Sequence, residues 1–196
     1  MKIVVHRINL INELLDVPLK YGCEIDIRSQ DSKLILNHEP YLSGDNLVDY
    51  LDNYKHGLLV LNIKEAGIEN DVLQLVRERN IPSFFLLDVE FPYLYRASRL
   101  GERAIAVRFS EDEPIELVYN YNKLVDWVWV DTNTKLPLDS NNILILSTMQ
   151  TCLVCPERWG RPNDIIPYRH SMKSLGFYPN AVMTNLKYTN LWEQDI

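Results

Sequence analysis

Cys23-Glu24-Ile25-Asp26-Ile27-Arg28 alternates between apolar and charged residues at every step. A strand turns successive side chains to opposite faces, so Cys23, Ile25 and Ile27 share one face and Glu24, Asp26 and Arg28 the other. Charged groups held on a strand cost free energy unless they are paired or bound. The segment 57–64 (GLLVLNIK) repeats the arrangement at its end, with Asn62 and Lys64 on one face and Leu59, Leu61 and Ile63 on the other. In a barrel of parallel strands the apolar sets pack on helices. The polar sets then point inward at the C-terminal mouth, where active sites of that fold lie.

The pattern extends outward in both directions. Strand-like runs are expected over 2–6, 23–28, 57–64, 82–89, 104–109, 126–130, 142–147 and 181–186, with an extra strand over 33–37 joined by a Ser-Gln-Asp-Ser turn. Helical spacing falls between them, over 11–21, 46–54, 68–79, 92–100, 114–124 and 167–175. Strands alternating with helices imply a parallel sheet built through right-handed crossovers. Eight such units predict a small, compact (β/α)8 TIM barrel, one domain over residues 1–196. The alternative is an open doubly wound sheet, whose Gly-rich first turn is absent here: the residues are Arg7-Ile8-Asn9.

Composition sets limits on function. Across 196 residues, 46% are hydrophobic, enough for a sizeable core. The net charge of −7 argues against general affinity for nucleic acid or an anionic membrane. No run approaches 18 apolar residues, and the N-terminal apolar run stops at His6, too short for a signal segment. Three cysteines form no disulfide framework, so a reduced, cytoplasmic setting is expected.

Candidate chemistry clusters near the strand ends. His6, Glu24, Asp26 and His38 combine two imidazoles with two carboxylates, the groups that acid–base work on a metal-held substrate needs. Farther along, Cys155-Pro-Glu-Arg-Trp-Gly-Arg161 lies on a long loop expected over the mouth. Arg158 and Arg161 there either grip an anionic substrate or belong to a solvated loop. Cys152 and Cys155 read as two thiols in a loop, because zinc would want a second ligand pair. Trp127 and Trp129 read as barrel filling.

The order His6-Arg7, Glu24-x-Asp26, His38, Asn62-x-Lys64 resembles the glycerophosphodiester phosphodiesterase family, among the phospholipase C-like phosphodiesterase barrels. The resemblance rests on the first third of the chain and on a last strand ending Thr184-Asn185. It implies His6 and His38 as acid and base on a small-molecule phosphodiester, glycerophosphodiester-like or sugar-linked. It implies Glu24, Asp26 and Asn62 as ligands of Mg²⁺ or Ca²⁺, and Arg7 and Lys64 as phosphate contacts. Asn62 stands where the family carries a third carboxylate, which implies weaker metal affinity. Two alternatives stay open: a barrel that binds a phosphorylated ligand without turnover, and a metal-independent phosphodiester lyase.

Overall fold

The computed structural model describes residues 1–194. In chain order the elements are β1 (Lys2–Val5), α1 (Ile11–Asp16), β2 (Gly22–Gln30), β3 (Lys33–Leu36), β4 (Asp45–Asn46), α2 (Leu47–Asn53), β5 (Leu59–Ile63) and α3 (Glu69–Glu78). They continue with β6 (Phe84–Leu87), α4 (Phe91–Arg99), β7 (Ala106–Phe109), α5 (Ile115–Tyr121), β8 (Trp127–Val130) and α6 (Asn142–Leu146). The last are β9 (Gln150–Val154), α7 (Ile165–Leu175), β10 (Ala181–Thr184) and α8 (Thr189–Glu193).

Parallel pairing runs β6–β5–β2–β1–β10–β9–β8–β7, and a parallel bridge between Leu86 and Ile105 joins the two ends. Eight parallel strands among the described residues therefore close on themselves. This is the predicted TIM barrel. β3 pairs antiparallel with the outer half of β2, with Gln30 opposite Lys33. Asp31 and Ser32 both take positive φ (48° and 63°), the backbone that a two-residue hairpin turn requires.

Two apolar layers follow from strand parity. Cys23, Ile25, Ile27, Leu59, Leu61 and Ile63 pack outward in the larger cluster, which includes Leu14, Leu51, Val72 and Val76 from the helices. Val4, Val60, Phe85, Leu87, Trp127, Trp129, Cys152 and Met183 fill the barrel interior. Phe85 stacks on Trp127 with ring centroids 4.6 Å apart, so the tryptophan pair is filling, as expected.

One strand lies elsewhere than the sequence suggested. Residues 142–146 form α6, and the seventh barrel strand is 150–154. A short run of Ile and Leu fits either state. Here Asp139 Oδ1 accepts from the main-chain N–H groups of Asn141 and Asn142 (2.8 and 2.9 Å), starting a helical turn. The expected loop thiols are relocated with that strand: Cys152 lies inside β9, Cys155 directly follows it, and both are buried. Helix α1 is shorter than predicted because Val17 precedes Pro18 and is held extended.

Because Phe85 is fully buried in the interior stack, Phe85→Ala is expected to lower stability by about 3–5 kcal/mol in urea unfolding. A loss under 1 kcal/mol would mean that the interior can collapse around the gap.

Candidate active site at the barrel mouth

The turn after the first strand delivers His6 and Arg7 to the mouth. The His6 main-chain N–H donates to the Thr184 carbonyl at 3.0 Å, fixing it at the end of β10. Arg7 then takes a left-handed backbone, φ 56°. That conformation costs a non-glycine residue roughly 1–2 kcal/mol. It is offset locally: the Arg7 N–H donates to Glu24 Oε2 at 2.8 Å, and Arg7 Nε lies 3.5 Å from Asp26 Oδ2.

Glu24 and Asp26 are 2% and 1% exposed, on the inner face that parity predicted. Every oxygen of the pair has a protein partner. Asn62 Nδ2 donates to Glu24 Oε1 at 2.8 Å, Lys64 Nζ lies 3.1 Å from Asp26 Oδ1, and Asn9 Nδ2 donates to Asp26 Oδ2 at 2.9 Å. Asn9 carried no sequence signal beyond being polar. Burial pushes the Glu24 carboxyl up to about 7, with the Asp26 charge adding to the rise.

His6 meets a residue from the far end of the chain. Arg158 Nη1 lies 3.0 Å from His6 Nε2. Burial, with the charges of Arg158 and Arg7 adding to it, lowers the His6 pKa to about 3. The ring is therefore neutral at ordinary pH. A guanidinium can only donate, so Nε2 accepts and the proton sits on Nδ1. Its 3.9 Å approach to Glu24 Oε2 is accordingly no ion pair.

The other predicted residues are placed less centrally. His38 follows β3, where Asn37 N–H donates to the Asp26 carbonyl (3.0 Å) and Arg28 donates to the His38 carbonyl. Its imidazole Nδ1 is 2.7 Å from Glu39 Oε1. Arg161 spends its donors on Asp164, Tyr168 and the Thr132 carbonyl. A second charged group completes the rim: Arg108 bonds Asp88 (2.5 Å), Glu113 (2.8 Å) and Asp131. Lys64 connects the two groups, with Nζ 4.0 Å from Asp88 Oδ2.

Comparison with solved structures gives the same architecture. A phosphodiesterase from Oleispira antarctica, solved with its product sn-glycerol-3-phosphate, superposes with a TM-score of 0.65 at 14% identity over 99% of this chain and 97% of that one. The fold is that of glycerophosphoryl diester phosphodiesterases. Such an enzyme from Parabacteroides distasonis gives 0.63 at 10% identity, over 93% of this chain and 81% of its own. A protein from Agrobacterium tumefaciens ascribed the same activity gives 0.65 at 10% identity, over 94% and 93%. No family model matches the chain, and no curated protein matches it in sequence. Among the described residues, no helix is long and apolar enough to cross a membrane.

The raised Glu24 pKa has a consequence for stability. In the unfolded chain Glu24 ionises near 4.5, and in the folded protein near 7. Between those values only the folded state keeps the proton, so this group's contribution favours folding below about 4.5 and is lost as pH rises through 7. Glu24→Gln is expected to flatten that part of the melting temperature's pH dependence. An unchanged profile would assign it to other groups.

Proposed function

We propose that the barrel mouth binds a small phosphodiester and hydrolyses it to a phosphomonoester and an alcohol. The observation that carries this reading is the convergence of His6, Arg7, Glu24, Asp26, Asn62, Lys64 and Arg158 on one end of a barrel with the phosphodiesterase fold. Arg7, Lys64 and Arg158 supply three positive charges against two carboxylates, a surplus suited to a phosphoryl group. His6, neutral and with its lone pair on Nε2, takes the proton from the attacking oxygen once Arg158 has shifted from the ring to a phosphate oxygen. His38 returns a proton to the leaving alcohol oxygen. Arg161, whose donors are engaged within its own loop and at Thr132, supports that loop rather than touching substrate.

A divalent cation suits part of the donor set. The Asn62 Oδ1 atom is a buried acceptor with no protein partner, beside the Glu24 carboxylate, and hard cations such as Mg²⁺ or Ca²⁺ take such oxygens. Glu24, Asp26 and Asn62 would hold it, and when bound it adds charge stabilisation at the phosphoryl oxygens. Asp26 would share its oxygens with Lys64 and Asn9, and Asn62 contributes no charge, so weak affinity is expected.

The contact between Arg158 and His6 Nε2 favours a second reading, in which the mouth binds a phosphorylated ligand without turnover. Assay of glycerophosphodiester hydrolysis separates the two. His6→Ala and His38→Ala are each expected to reduce kcat at least about 100-fold while circular dichroism melting stays cooperative. Wild-type turnover in both variants would overturn the two-histidine mechanism, and no turnover in the wild type would favour the binding module.

Asn62→Asp adds the missing charge. It is expected to tighten Mg²⁺ or Ca²⁺ binding at least about tenfold in calorimetric titration. Equal affinity in the two proteins would remove Asn62 from the ligand set.

A further inference from the structure

Arg158 is exposed and sits on a four-residue 3-10 helix, Pro156–Trp159, yet its guanidinium meets one histidine ring. A long side chain on a short surface turn keeps such a position only if the turn is fixed. Two anchors flank it. On one side, Glu157 Oε1 accepts from the Thr184 hydroxyl at 2.6 Å and from the Asn185 main-chain N–H at 3.0 Å. Thr184 is also the residue whose carbonyl accepts the His6 N–H, so one position touches both the turn and the backbone of the histidine. On the other side, the Arg161 N–H donates to the Pro156 carbonyl (3.1 Å), and its guanidinium reaches the Thr132 carbonyl beyond β8.

We infer that Glu157 is a positioning residue: its bonds to Thr184 and Asn185 latch the Pro156–Trp159 turn to the end of β10 and hold Arg158 where it meets the phosphoryl group at His6. The inference rests on the phosphodiester reading of the mouth. The physical gain is preorganisation, because a guanidinium held beside the His6 ring loses less conformational freedom when it moves the short way onto the anion. One oxygen accepts both latch bonds, so the latch depends on the acceptor and not on the negative charge.

Titration calorimetry with sn-glycerol 3-phosphate tests this. Arg158→Ala is expected to weaken binding about tenfold or more. Glu157→Ala should lose a comparable factor and Thr184→Val a smaller one, while Glu157→Gln, which keeps the acceptor, should bind as wild type. In an Arg158→Ala background Glu157→Ala should have no further effect, since its action runs through the arginine. Wild-type affinity in Glu157→Ala, or losses that simply add in the double variant, would overturn the latch while leaving the phosphodiester reading intact. Absence of any binding by the wild-type protein would overturn that reading, and the latch with it.

Discussion

Glu24 and Asp26 lie buried above an apolar barrel interior, and two carboxylates in that position demand partners from the neighbouring elements. The turn after β1 supplies Arg7 and Asn9. β5 supplies Asn62, and Lys64 follows directly after it. The demand is stringent because an unpaired buried charge is far costlier than a lost hydrogen bond. Register enforces it: Glu24 lies opposite Val60 and Asp26 opposite Asn62. A one-residue slip of β2 would turn Cys23, Ile25 and Ile27 inward and leave both carboxylates among the helices.

The interior below the mouth sets the electrostatics above it. Phe85, Trp127 and Trp129 close the barrel under the polar groups and exclude water from their lower side. That is why burial leads the causes of the shifts at Glu24, His6 and Asp131 alike. Asp131 is pushed up to about 6 although Arg108 is bonded to it, so desolvation there outweighs a direct ion pair. The rim carries alternating charge, Asp26, Lys64, Asp88, Arg108 and Asp131, delivered by successive strands. Asp88 takes φ 57° at its place in that chain. Backbone in this region is costly for a non-glycine residue and persists where surrounding contacts fix it.

Much of this is legible in the sequence. Period-two alternation in 23–28 and 57–64 assigned the inner and outer faces correctly, because side-chain direction in a strand is a local property. The strand placed at 142–147 failed for an equally physical reason. Asn-Ile-Leu-Ile-Leu has no periodicity that separates helix from strand, and the decision fell to the turn that Asp139 fixes ahead of it and to the vacancy between β8 and β10. The segment that fills the vacancy, Gln150–Val154, was read as part of a loop carrying two thiols, whereas its Cys152 packs in the barrel interior.

The sequence by itself determined the number of barrel units, the faces of the strands and that Glu24 and Asp26 share the inner one. These follow from spacing along the chain. Only the tertiary structure brought Arg158 to His6 across 152 residues, set Glu157 on Thr184, and turned Arg161 into a support for the loop. Contacts of that kind depend on how a closed barrel brings its last loops back beside its first strand. No local pattern of residues encodes that distance.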